Sequence, residues 1–477
     1  MRRRTFLTAT AASTATAAMS LLTACSKTAS SPGPTPSFAP MPTPSRTPMP
    51  DPPSATAVPS SFSLQPRWPD VVTSGSITAI REHYLCGVAG VDEADEARRT
   101  VPDGKCPVVV DLNGPTTWAL LPDGDGAWTT RTVEAADPSA TPISADPSST
   151  PTEPRYMLET GPALLDETHA YLTVGVIAED AQATPDPGLT NTLCPVDLVK
   201  VDLSDGSIAA STRLSSAFEA SRIEHVLSLS FTEDRSALLI SGDDSGSGLE
   251  TQNIGVRLSA ADLSVQFDAV SMVADPHHFS AYGEAVVGEY EGESTMIYLA
   301  DGTTEPRGDM MVETVLNGWV YYYDTTYPRP DSALPSRGAA HVRKPHTGEV
   351  ITISETNEYA LEGINDRIQT DQHEVILLSR SDAFSFSVWR PGETQPAMYW
   401  EAAERTVPKT ACVFGDVVYA AFTNDQSATL RLMSLSSGDD IGEVPDVVQN
   451  WAEPVAVTAW GLAASGAFYP AAEWLDS

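Results

Sequence analysis

The sequence predicts an all-β fold, a seven-bladed β-propeller with six or eight blades also compatible, and three observations carry that prediction. Apolar and polar residues alternate with a period of two in short runs, and tight turn dipeptides follow those runs. The pattern returns roughly every 45 to 60 residues, a spacing typical of propeller repeats. Almost no helical periodicity interrupts it from Trp68 to Ser477.

The clearest copy is 197–212. Val199, Val201 and Leu203 alternate with Lys200 and Asp202, Asp205-Gly206 supplies a tight turn, and Ile208 and Ala210 begin the return. The other units follow the same grammar. The first holds Leu85, 108–111 and 117–121, a turn at 122–126, and 127–133. The second is 170–177 with the hairpin above, and the third is 226–231, 236–241, 254–258 and 264–270. The fourth is 279–287 and 295–300, turning at Asp301-Gly302. The fifth runs 312–323, 341–344 and 349–354, with a turn at 346–348. The sixth is 368–379, 384–390 and 397–401, turning at Pro391-Gly392, and the seventh is 412–423, 428–434 and 441–444. Residues 455–469 remain, and pairing them with the first blade would close the ring and remove its free edges. Two packed sandwiches are the structural alternative.

Residues 199–210, 342–353 and 432–444 resemble the β-propeller repeats of the quinoprotein-like and WD40-like families. The terminal tryptophan of the former and the Trp-Asp dipeptide of the latter are missing, so the resemblance implies a fold and no activity.

The chain opens with a basic segment, Arg2-Arg3-Arg4, then a small, apolar run to Leu22, the pattern of an export signal. Arg3 and Arg4 with Thr5-Phe6-Leu7 resemble a twin-arginine signal, without the usual serine, so the general secretory route stays open. Leu22-Thr23-Ala24-Cys25 resembles a bacterial lipobox, which implies cleavage after residue 24 and lipid on Cys25. Residues 25–67 are rich in Pro, Ser and Thr and read as a disordered tether. Extended polyproline conformations would hold the domain on the order of 100 Å from the bilayer. Residues 68–477 form the propeller domain, and 136–154 are a disordered insertion of the same composition. No later stretch is apolar enough to cross a bilayer.

The chain carries 28 basic and 64 acidic residues, a net charge of −36 that falls to −39 once Arg2, Arg3 and Arg4 are cleaved away. Such a field repels nucleic acid and anionic lipid surfaces. Cys86, Cys106, Cys194 and Cys412 make an even set for an exported protein and predict two disulfides. Cys86 with Cys106, which flank one acidic loop, is the favoured pair, leaving Cys194 with Cys412.

No catalytic, cofactor or metal constellation stands out. There is no Gly-x-Ser-x-Gly, no Gly-rich phosphate loop and no Cys-x-x-Cys. His373-Glu374 has Leu377 where a zinc helix needs its second histidine. His277-His278 reads as surface, Asp123-Gly124-Asp125-Gly126 as a turn, and Asp243-Asp244 and Asp439-Asp440 as solvated loop pairs. The aromatic run 319–323 fits packing between blades better than stacking on a sugar.

Together these features predict a propeller lipoprotein on the outer face of the cell membrane, anchored through Cys25, that binds an envelope protein or a small ligand at one propeller face. The composition is similar to that of actinobacterial envelope proteins. The competing class is an extracytoplasmic hydrolase, lyase or quinoprotein-like dehydrogenase whose residues converge in the central channel.

Overall fold

The computed structural model describes residues 53–54, 56–63, 72–91, 105–114, 116–123, 127–133, 156–178, 192–243, 252–275, 279–326, 336–355, 361, 364, 368–379, 385–423, 428–445, 455–464 and 466–475. Its strands form eight antiparallel sheets in strict chain order, the blades of a propeller. Blade 1 is β1 (Val72–Arg81), β2 (Tyr84–Val91), β3 (Lys105–Asp111), β4 (Thr116–Pro122) and β5 (Trp128–Val133). Blade 2 is β6 (Tyr156–Leu165), β7 (His169–Ala178), β8 (Leu193–Asp202) and β9 (Ile208–Glu219). Blade 3 is β10 (Ser228–Phe231), β11 (Ala237–Gly242), β12 (Ile254–Ser259) and β13 (Val265–Asp268). Blade 4 is β14 (Ser280–Tyr282), β15 (Ala285–Tyr290), β16 (Glu293–Tyr298) and β17 (Thr304–Pro306). Blade 5 is β18 (Met310–Leu316), β19 (Trp319–Thr326), β20 (Ser336–Arg343) and β21 (Val350–Ser354). Blade 6 is β22 (Val375–Ser379), β23 (Ser385–Trp389) and β24 (Met398–Glu401). Blade 7 is β25 (Thr410–Phe414), β26 (Val417–Thr423), β27 (Ala428–Ser434) and β28 (Asp440–Pro445). Blade 8 is β29 (Val455–Thr458), β30 (Gly461–Ala464) and β31 (Ala467–Pro470).

The middle strands are apolar on both faces because each blade is covered on both sides. β11 is buried at all six positions, whereas the outer strand β13 is largely exposed. The apolar clusters lie between blades. One spans blades 2 and 3 through Leu198 and Ile240, and another spans blades 4 and 5 through Met296 and Tyr322. The largest joins blade 8 to blades 1 and 2 through Ala463, Val109 and Leu172, which closes the ring. The turn at Asp205-Gly206 is tight, as its sequence predicts: Gly206 has φ of +74°, and a Cβ there would come within 2.3 Å of the Trp118 ring of blade 1. A turn glycine therefore also sets how closely two blades approach.

Two expectations are corrected. There are eight blades, not seven, because residues 455–470 build a sheet of their own. That sheet is not completed by the first blade. Its outer edge takes the segment before β1: Phe62 pairs antiparallel with Ala471, Ser63 N donates to Pro470 O at 2.8 Å, and Ala472 N donates to Ser61 O at 3.0 Å. Ser61, Phe62 and Ser63 thus pair with the end of blade 8. Phe62 packs edge-on against Tyr419 of blade 7, 6.1 Å between ring centroids, and the Tyr419 hydroxyl donates to Pro59 O at 2.7 Å.

The disulfide expectation for Cys86, Cys106, Cys194 and Cys412 is also corrected: all four are buried, and no disulfide joins them. Cys106 stands opposite Ala89, three residues along β2 from Cys86. The two thiols therefore point to opposite faces, and an offset of about 10 Å along the strands exceeds what a disulfide spans. Cys194 lies in blade 2 and Cys412 in blade 7. Burial raises the Cys86 thiol pKa and pushes that of Cys412 up to about 12.

Phe62→Ala is expected to destabilise the fold by about 3 kcal/mol, read from chemical denaturation, because it opens a cavity at the ring seam. An unchanged midpoint would show that the seam is not load-sharing. The four buried thiols should resist a thiol reagent in the native protein and all react after denaturation. Resistance persisting in denaturant, and lost only on reduction, would show that they are disulfide-bonded.

Candidate functional site

In the blades with four strands, the antiparallel order sends the first and third turns to the same end of the ring, and the functional candidate lies at that end. It is organised by the segment that leads into β22. Ile368 is buried, but Gln369 to Glu374 leave the blade 6 sheet and cross toward blade 1. Gln369 forms a parallel bridge with Ala79 of β1: Gln369 N donates to Thr78 O at 3.0 Å and Ile80 N donates to Gln369 O at 2.9 Å. Val413 N of blade 7 donates to Gln372 Oε1 at 2.9 Å, and the Asn317 amide of blade 5 donates to His373 O at 2.9 Å. This strap is therefore stitched to three blades other than its own.

At its centre sits Asp371. Its Oδ1 accepts from Arg81 Nη1 of blade 1 at 2.8 Å and from Arg235 Nη1 of blade 3 at 2.9 Å. Arg235 donates its other terminal nitrogen to Leu165 O of blade 2 at 3.0 Å and stacks over Phe231, 4.5 Å from the ring centroid. Its backbone adopts φ of +56°, a left-handed conformation that costs a non-glycine residue and aims this side chain inward. Arg81 is only 15% exposed while the Asp371 side chain is 46% exposed, so the carboxylate is the accessible member. The Arg81 Nε is buried with no hydrogen-bond partner, which leaves one guanidinium donor unsatisfied.

The strap divides the mouth of the channel. On one side a cavity of about 840 Å³ is bounded by blades 1 to 6, with Arg81, Arg235, Asp371, Glu284 and Trp319 in its lining. Glu284 is buried, and its two carboxylate oxygens accept from Asn317 N and Gly318 N, both at 2.8 Å, so it anchors the β18–β19 turn. On the other side a cavity of about 300 Å³ lies among blades 1, 6, 7 and 8 beside Trp460. His83, in the β1–β2 turn, packs against Tyr84 and Trp460 with ring centroids 4.1 and 4.7 Å away. Burial lowers its pKa, and Asp111, 3.7 Å from Nε2, opposes that shift.

Few of the residues singled out by sequence fall here. Arg3, Arg4, Cys25 and His277-His278 lie outside the described residues. His373 lines the large cavity, and Trp319 lies on its rim. Tyr321 and Tyr323 are buried between blades 5 and 6, the packing role expected of that run. Asp123 Oδ1 accepts from Ala127 N at 2.9 Å, a turn contact, and Asp440 pairs with Arg405. Among the described residues no group of His, Cys, Asp or Glu is placed to hold a metal ion. Sequence reasoning missed Arg81, Arg235 and Asp371: the two arginines lie 290 and 136 positions from the carboxylate they share, so the three form no linear motif. The available signal was faint: a basic residue at the first turn of units 1 and 3 in a chain poor in basic residues.

The unfolded chain binds a proton at His83 near pH 6.5, whereas the folded chain resists it, so stability should fall as pH drops through that value. His83→Gln should lessen the loss measured by denaturation between about pH 7.5 and 5.5. An identical loss in both proteins would remove His83 from the account.

No family model matches the chain, and no curated protein matches it. Among solved structures it is similar to the beta-propeller domain of the Trilobed protease from Pyrococcus furiosus, at 12% identity and TM-score 0.32, over 80% of this chain and 98% of that one. It is similar to the acylaminoacyl peptidase of Pyrococcus horikoshii, at 10% identity and TM-score 0.31, over 78% of this chain and 59% of that one. The chain thus spans less than two thirds of that peptidase. It is also similar to dihydro-heme d1 dehydrogenase NirN, at 10% identity and TM-score 0.29, over 86% of this chain and 81% of that one. None of these likenesses carries an argument about activity.

Proposed function

We propose that this propeller is a binding or scaffold module of the cell envelope, held outside the membrane by lipid on Cys25, and that it takes its partner at the mouth bounded by blades 1 to 6. The observation that carries the reading is the convergence of Arg81 and Arg235, from blades that are not neighbours, on the exposed carboxylate of Asp371. Half-exposed ion pairs contribute only about 0–1 kcal/mol to stability. The arrangement is therefore poorly explained as a stabilising device and better explained as a recognition feature. The cavity is of the size that takes a small ligand or a peptide segment, and its wall mixes Leu165, Phe231 and Leu316 with the charged groups.

The same convergence of charged groups favours a second reading, an extracytoplasmic enzyme working at the channel mouth. One experiment separates them. A photo-crosslinking residue in place of Trp319, in intact cells, should capture a discrete envelope partner in the membrane fraction, and Cys25→Ser should shift the protein to the medium. Capture of no partner, with small-molecule turnover by the purified protein, would overturn the binding reading in favour of the enzyme.

A further inference from the structure

We infer that the mouth is a recognition site for an acidic, extended polypeptide segment, and that Asp371 with the strap around it is an internal stand-in for that ligand. The inference rests on the mouth being the binding site, and it names what binds there. The strap already shows the two contacts such a ligand would make. Its backbone adds to the edge of β1 through the Gln369 bridge, the way an extended peptide augments a sheet. Two residues on, its carboxylate is shared by two guanidiniums.

The local charge supports an anion at this point in a strongly acidic protein. Without the Asp371 carboxylate, Arg81 and Arg235 face the cavity, while Glu284 stays tied to the Asn317 and Gly318 amides. Arg81 also lies 3.6 Å from Glu167, a side chain 84% exposed, whose hold in solvent is weak. Both arginines use a single oxygen of Asp371, and the Arg81 Nε finds no acceptor, so the resident carboxylate satisfies the pair incompletely. A free segment has a carboxylate that can rotate to use both oxygens. It binds by taking the place of Asp371 between the arginines, and the strap competes with it as a tethered rival at high effective concentration.

The test uses the full chain and a labelled peptide with the strap's own sequence, Ile-Gln-Thr-Asp-Gln-His, beside a control carrying Asn for Asp. Asp371→Ala should bind the acidic peptide about tenfold more tightly than the parent protein. Adding Arg81→Gln should abolish that gain, and the Asn peptide should bind about tenfold more weakly than the acidic one. Should Asp371→Ala fail to fold, Asp371→Asn, which keeps the side-chain shape, carries the same measurement. Equal binding by parent and variant, or of the two peptides, overturns the inference, and so does failure of both variants to fold, which makes Asp371 structural. Capture of a partner through position 319 in cells, with no effect of Asp371→Ala, sinks this inference alone. Absence of both removes the mouth as the binding site.

Discussion

Every blade depends on its neighbours, because a twisted sheet that is apolar on both faces cannot cover itself. Leu238 and Ile240 of β11 face blade 2, while Leu239 of the same strand faces blade 4. Both sets are buried only because the ring continues in both directions. A linear stack would leave two apolar faces in water at its ends. Closure is therefore the condition on which all interfaces rest, and the chain meets it by packing blade 8 on blade 1 and lending the segment around Phe62 to the last sheet.

The same economy of strands explains the mouth. Among the described residues blade 6 has three strands, and residues 369–374, which lead into β22, reach toward β1. Backbone pairing at Gln369 bridges to blade 1 and brings a carboxylate within reach of arginines on two other blades. The site is thus a product of a local departure from the repeat. Arg81 ends β1, Arg235 lies in the β10–β11 turn and Asp371 in the strap, so the site is assembled from a strand end, a turn and a crossing segment.

Much of this was legible in the residues. Alternation at Val199, Val201 and Leu203 and the glycine turns at 206, 302 and 348 depend on near neighbours, and all three glycines adopt the positive φ that their turns require. What depended on distant partners was not legible. The eighth blade looked incomplete because the segment that pairs at its end, around Phe62, lies at the other end of the chain in a Pro- and Ser-rich stretch. β6 was hidden by Gly161-Pro162, which sit in a bulge between Thr160 and Ala163 and break the period-two signal. The cysteine pairing failed because an even count says nothing about which face of a sheet each thiol occupies. Arg81, Arg235 and Asp371 meet only after the ring has formed.

The seam at Phe62 has a mechanical consequence. Residues 59–63 precede β1 in the chain and also clasp its far end, through the Phe62–Ala471 bridge and the Pro59–Tyr419 hydrogen bond. A pull on the chain ahead of residue 59 would load the hydrogen bonds of Ser61 and Ser63 and the Tyr419 clasp. Loss of those contacts would uncover Ala471 and Tyr419, while the apolar packing of blade 8 on blades 1 and 2 would remain. Traction thereby singles out one clasp, whereas heat or denaturant acts on every interface of the ring at once.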